Sequence, residues 1–314
     1  LEPQITASNK ENPMSLGVLN NLSAVYAENS LNNTNNSLSK TLQQLSSGSK
    51  INSGADDAAG LSLVDGLQAN QTALTQSQTN AQEGVGLLQV ADGALSQVTS
   101  LLNRAVTLAT EASNGTLNTA QDTAADQEYQ SILAEINNIG STTTYNGNAV
   151  FTSTAVNIYT GDSTSTSASI DALTIDDLTS AKVGDSGGAV TYTAAAGGTP
   201  ATISYAATGA EDLSATKLDN ASDAQTALTD LNAAISDVAA QDGYIGSQIN
   251  TLSSVSQVMS TQQENIQAAQ NAVQATDYAQ ASSNMSKYEI LSQTGISALA
   301  QANSVQQEVT KLLQ

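Results

Sequence analysis

Cysteine and histidine are both absent from the 314 residues, and tryptophan is absent too. Without cysteine there are no disulfides and no thiol nucleophile. Without histidine there is no imidazole base, and the usual zinc donor sets cannot be assembled. The lack of cysteine also suits a chain that avoids cross-linking outside the cell. Aromatic residues are scarce, with nine Tyr and one Phe. The apolar content is therefore mainly Ala, Leu, Val and Ile, which suits narrow helix–helix seams better than a thick aromatic core. Positive charge is scarce as well: 29 acidic residues face 8 basic ones, giving a net charge of −21. The basic residues are scattered, and a single arginine, Arg104, is among them. A chain so acidic, with no basic cluster, is not built to hold nucleic acid or anionic lipid.

Proline occurs only at positions 3, 13 and 200, so long helices are permitted almost everywhere else. No continuous apolar run reaches the 18 residues of a membrane-spanning helix. The opening stretch LEPQITASNKENPM has no hydrophobic centre and does not read as a cleavable secretory signal. Residues 1–13 read as an extension or a cloning remnant, with Met14 a plausible start.

Composition divides the remainder into zones. Residues 15–140 and 219–314 are rich in Leu, Ala, Asn, Gln and Ser, whereas 141–215 turn to Thr, Ser, Gly, Val and Tyr. In the first zone Leu88, Ala91, Leu95, Val98, Leu102, Ala105 and Ala109 recur at alternating spacings of three and four, with Leu101 and Leu108 along one edge. In the last zone Ile245, Leu252, Met259, Ile266 and Val273 recur every seven residues. Two heptad stripes, one in each half of the chain, predict helices that pack on each other in coiled-coil fashion. A helix over 57–113 would be roughly 80 Å long, which implies a rod. The fold class expected is mainly α: a long antiparallel helical rod made by both chain ends, with a small β-rich domain inserted. The segments 146–161 and 189–207 alternate apolar and polar residues and read as β structure. The second of them is a hairpin turning at Gly197, Gly198, Thr199 and Pro200. DSTSTSAS at 162–169 reads as a loop.

Nucleotide-binding loops, nucleophile elbows and calcium loops are missing from the sequence. The pairs Asp56-Asp57 and Asp176-Asp177 are the best carboxylate candidates, and a polar loop or a helix start accounts for them more simply than catalysis. In LSSGSKINSGADDAAG, residues 45–60, Gly48 reads as a left-handed C-cap. Ser53 reads as the next N-cap, with Asp56 completing a capping box and Asp57 sitting at the helix dipole. No metal, cofactor or catalytic residue is expected.

That same stretch resembles the N-terminal motif of bacterial flagellins, with Lys50 in place of the usual Arg and Gly54 in place of the usual Ala. ATDYAQASSNMSKYEILSQTGISALAQANSVQQEVTKLL at 275–313 resembles the family's closing helix. QENIQAAQNAV (263–273) and NNIGSTTTYNGNAVF (137–151) are similar to further family segments. The resemblance implies an extracellular filament subunit that polymerises with itself and is exported unfolded through the flagellar secretion channel. It also implies an export chaperone and a filament cap as partners, with the hook–filament junction protein as the alternative. It divides the chain into an inner-core helix (14–47), a spoke linker (48–56), outer-tube helices and the start of a β-hairpin (57–152), a variable surface domain (153–215), a C-terminal outer-tube helix (216–274) and a closing inner-core helix (275–314). It further carries over a contact set, Arg104, Leu108 and Glu128. In the family such positions meet an innate Toll-like receptor, and here contacts between neighbouring subunits are the favoured reading.

Overall fold

The structure is a computed structural model that describes residues 21–161, 170–183, 190–193, 202–205 and 212–312. Residues 1–13, the loop 162–169 and the turn at 197–200 lie outside the described residues. Among the described residues five helices carry the fold: α1 (Leu22–Ser47), α2 (Ala58–Ser113), α3 (Thr119–Thr142), α4 (Ala221–Gln274) and α5 (Tyr278–Leu312). Between α3 and α4 lie β1 (Thr144–Tyr145), β2 (Asn148–Ala149), β3 (Thr152–Tyr159), β4 (Ile170–Ile175), β5 (Val190–Thr193) and β6 (Thr202–Tyr205). They pair as three antiparallel two-stranded ribbons, β1 with β2, β3 with β4 and β5 with β6. The helix read over 57–113 thus runs from 58 to 113, and the strands flanking the expected Gly-Pro turn pair in register from Val190↔Tyr205 to Thr193↔Thr202.

Each helix starts on an Asn or Asp. Asn21 accepts from the Ala24 amide, Asp57 from Gly60, Asn220 from Ser222 and Asp223, and Asp277 from Ala279 and Gln280. Asn118 accepts from Ala120 and Gln121, and the Gln121 side chain returns the bond to the Asn118 amide, which closes a capping box. A side-chain oxygen at this position satisfies amides that the first helical turn leaves unpaired, worth about 1 kcal/mol each. In a chain whose helices are rich in Gln, Asn, Ser and Thr, such caps fix where each long helix begins.

The chain forms two compact units. One comprises residues up to Asp65 and from Gln270 onward; the other is Gly66–Ala269. The second unit holds the main hydrophobic core. Leu88, Ala91, Leu95, Val98, Leu102, Ala105 and Ala109 are all fully buried there, together with Ile245, Leu252, Met259 and residues of α3. Gln71 hydrogen-bonds Gln267 at 2.8 Å, Gln263 reaches Thr75 at 2.6 Å, and Gly84 lies against Leu252. At the far end Gly115 lies beside Ala221. As one residue number rises the other falls in step, so α2 and α4 are antiparallel partners over roughly 65 Å.

That register sets Gly84 at the level of Leu252, Ala91 at Ile245, Leu102 at Ala234 and Ala105 at Leu231. Small residues on one helix meet large ones on the other, which is how facing helices interdigitate without voids. A Cβ on Gly84 would stand 3.1 Å from Leu252 Cδ1 and 3.2 Å from Ile158 Cγ1. The glycine is there for close approach, and it offsets the ~1 kcal/mol that glycine costs inside a helix. An 18-residue window of α2 reaches a mean hydropathy of 1.2. Its apolar positions supply the seam, covered by α3 and α4. The seam fades at its end: Ile266 and Val273 are only half-buried.

Candidate self-assembly surface

In the first unit α1 and α5 run antiparallel. Asn21 Nδ2 donates to the Ala302 carbonyl at 2.9 Å, Ser292 Oγ donates to Asn35 Oδ1 at 3.2 Å, and Gly295 lies against Leu31. Very little is hidden by this pairing. Thr41 is the one buried residue of α1, and the buried apolar side chains of the unit are Ile51, Val64 and Ala281 among the described residues. Large apolar side chains instead face outward on both helices. Leu22 is 62% exposed, Tyr26 65%, Ile290 66% and Ile296 55%, with Val25, Leu42, Leu291 and Val305 also exposed. Each such side chain forgoes about 1.5–3 kcal/mol of burial. A helix pair that leaves this much apolar surface in water marks a surface that something else covers.

The segment after α1 is joined by backbone hydrogen bonds to the residues just before α5. Lys50 N donates to the Gln274 carbonyl at 2.8 Å and Thr276 N to the Gly48 carbonyl at 3.0 Å, with Ser49 and Ala275 paired between them. Gly48 ends α1 in the left-handed conformation, φ 72°, and returns its own amide to Gln44. A side chain there would be strained by that φ and would also collide with the Tyr278 hydroxyl, 2.7 Å from where its Cβ would stand.

The capping box read at Ser53 is corrected here. Helix α2 starts at Ala58, and Asp57 caps it through the Gly60 amide. Ser53 and Asp56 close a separate turn in front of the helix. The Asp56 carboxylate accepts from the Asn52 and Ser53 amides at 3.1 Å and from Ser53 Oγ at 3.2 Å. The serine hydroxyl donates to Asp56, and the Gly60 amide at the start of the helix donates to Asp57 instead. Asp56 also meets Lys40 Nζ at 2.7 Å. The lysine bond first, then the Asn52 amide, hold its carboxyl down at about 2. Asp56 therefore ties the connector back onto α1, while Asp57 starts α2.

Arg104 and Glu128 do come together. Arg104 Nε and Nη2 both reach Glu128 Oε1, at 2.8 and 2.7 Å, on the half-exposed surface between α2 and α3. Leu108 does not join them. It is 4% exposed and belongs to the hydrophobic core. As a surface contact, Leu108 is corrected to a core residue. Asp177 sits 3.9 Å from Lys182, and no group of three or more potential metal ligands converges among the described residues.

Residues 18–155 match the model of the bacterial flagellin N-terminal helical region, and residues 228–313 match that of the C-terminal helical region. A flagellin of Listeria innocua is 31% identical over 293 residues, covering 93% of this chain and 98% of the relative. The chain belongs to the flagellin family. A polar flagellin C of Vibrio parahaemolyticus is 39% identical over 134 residues, covering 43% of this chain and 35% of that one. A crystal structure of Bacillus cereus flagellin is 25% identical, covering 61% of this chain and 94% of that one, with a TM-score of 0.42. Flagellins are structural proteins, and membership implies a subunit of the flagellar filament, which is extracellular.

Several features of the site escaped the sequence reading. Lys40 carries no motif that announces its bond to Asp56, since the contact depends on how the connector folds back. Gln241 and Gln248 are buried in the α4 seam at 3% and 6% exposure. Their spacing from Ile245, four before and three after, was the available signal, but their polarity masked it.

Proposed function

We propose that this chain polymerises with copies of itself into the flagellar filament that drives motility, and that the exposed apolar faces of α1 and α5 are covered by the same helices of neighbouring copies. The observation that supports this is the contrast between the two units. One has a continuous buried seam, and the other turns Leu, Ile, Val and Tyr to water on both of its helices. Identical, weakly charged surfaces rich in Asn, Gln and Ser can meet without like-charge repulsion, even in a chain of net charge −21. Export as an unfolded chain through the flagellar secretion channel, with a chaperone and a filament cap as partners, completes this reading. A helix pair with so little core of its own costs little to unfold.

Electron microscopy of the full chain under polymerising conditions tests it. Long filaments are expected from the intact protein, and soluble monomer from a variant lacking the last ten residues. Normal filaments from the truncated chain would overturn the proposal. Failure of the intact chain to form filaments would favour the junction-protein alternative. A receptor contact, if the chain makes one, rests on Arg104 and Glu128, which are both half-exposed. An unchanged response to Arg104→Ala protein in a receptor reporter assay would remove it.

A further inference from the structure

Two Asn-Gly dipeptides occur in the chain, Asn114-Gly115 and Asn146-Gly147, and three Asp-Gly dipeptides lie inside helices α2 and α4. In an Asx-Gly pair the glycine carries no side chain to shield its amide nitrogen, so that nitrogen can approach the preceding side-chain carbonyl. Whether it does depends on the local fold. Asp65-Gly66, Asp92-Gly93 and Asp242-Gly243 are held in helical backbone, with the glycine amides committed to the ladder. Asn146-Gly147 is the tight turn of the β1–β2 hairpin. Both residues have positive φ, 50° and 80°, and the flanking Tyr145 and Asn148 are paired across the ribbon. Asn114-Gly115 differs from all four. It lies in the exposed connection between α2 and α3, outside both helices and any ribbon. Its side chain turns forward along the chain, with Nδ2 donating to Thr116 Oγ1 at 3.1 Å, which carries the carboxamide across the Gly115 peptide. Gly115 has φ 64° and only the Ala221 methyl nearby, so the turn has room to move.

We propose that Asn114 is a site of spontaneous deamidation in the folded protein, the favoured one among its asparagines. The Gly115 amide nitrogen gives up its proton and bonds to Asn114 Cγ. The Cγ–Nδ2 bond breaks, and ammonia leaves with that proton. Water then opens the resulting five-membered imide at either carbonyl. One opening gives aspartate at 114; the other gives isoaspartate, in which the chain continues through the side-chain carboxyl. The net change consumes one water and releases one ammonia. The new negative charge arises one residue past the C-terminus of α2, where the helix dipole disfavours an anion, but the position is exposed and solvent screens that small cost. In a long-lived extracellular polymer the product would accumulate with age, a consequence that rests on the filament reading; the reaction itself does not.

The experiment incubates the full-length protein, folded and in parallel unfolded in urea, at mildly alkaline pH. Peptide mapping by mass spectrometry then follows acid and isoaspartate at both Asn-Gly sites. In urea the two sites should convert at similar rates. In the folded protein Asn114 should retain most of that rate, while Asn146 falls several-fold below it. Equal protection of both sites, or faster conversion at Asn146, would overturn the proposal. The Asn114→Asp variant, measured by circular dichroism, should keep the helix content and melting behaviour of the parent. A lost helical signal would show that the fold resists the product, and would also count against the site.

Discussion

The carboxyl of Asp242 on α4 stands beside that of Asp92 on α2, across the antiparallel helix pair. Two carboxylates so placed repel when both are ionised, which favours keeping a proton on Asp242. The Asp92 carboxyl first, then partial burial, raise Asp242 from 3.8 to about 6. A carboxyl whose pKa is raised by folding stabilises the folded state while protonated. That contribution is fully present below about pH 4 and disappears as pH rises through about 6. The second unit should therefore melt at a lower temperature at pH 7.5 than at pH 5. Asp242→Asn should flatten that slope and gain about 1 kcal/mol at neutral pH, a figure reduced for the pair's exposure to solvent. Thermal unfolding from pH 4 to 8 for both proteins checks this, and parallel curves would refute the proton kept on Asp242.

Gln241 is a polar interruption of the α4 seam, level with Leu95 of α2, and its side-chain oxygen is buried without a hydrogen-bond partner. A buried polar residue in a helix seam lowers stability and holds register. Gln241→Leu should raise the denaturation midpoint by the equivalent of about 1 kcal/mol. Leu95→Ala, which empties the facing level, should cost about 3 kcal/mol. Urea titration followed by circular dichroism measures both. A destabilised Gln241→Leu protein would show that the glutamine bonds a group that the seam conceals.

The seams were legible because a buried helix face must repeat at three and four, and Leu88 to Ala109 and Ile245 to Met259 keep that repeat. The β ribbons were legible from the alternation of 146–161 and 189–207, although Asn146 and Gly147 prove to be the turn between β1 and β2 rather than strand. What the sequence hid was which side of a periodic helix is covered. Leu108 and Arg104 are one helical turn apart, yet the first is buried in the core and the second is half-exposed against Glu128. The same blindness explains Ser53. Ser-x-x-Asp before an apolar run satisfies the capping pattern, yet the next residue, Asp57, performs the role, and the pattern cannot rank two adjacent starts.

The two aspartates should therefore behave differently. Asp57→Ala removes a cap and should cost about 1 kcal/mol, with amide exchange quickening at Ala59 and Gly60. Ser53→Ala should leave those amides unchanged. Lys40→Ala should raise the Asp56 pKa from about 2, because its largest cause is removed. The Asp56 contribution is present above about pH 4 and is lost as pH falls through about 2, so in the variant it should be smaller and its loss complete at a higher pH. Carboxyl titration by NMR follows it, and an unmoved Asp56 would mean that the amides alone hold it down.

Leu108 and Arg104 give the sharpest separation of core from surface. Leu108→Ala should destabilise the second unit by 2–5 kcal/mol, with whatever happens to binding or assembly following from that loss. Arg104→Ala breaks a half-exposed ion pair with Glu128 and should change stability by less than about 1 kcal/mol. If Arg104 contacts a neighbouring copy or a receptor, that variant should alter filament yield or receptor response while its melting curve stays in place. Glu128→Gln should then reproduce the effect, since both charges belong to one contact. Melting curves measured beside assembly yield decide the matter: a large stability loss from Arg104→Ala would place the ion pair in the core's support rather than on a working surface.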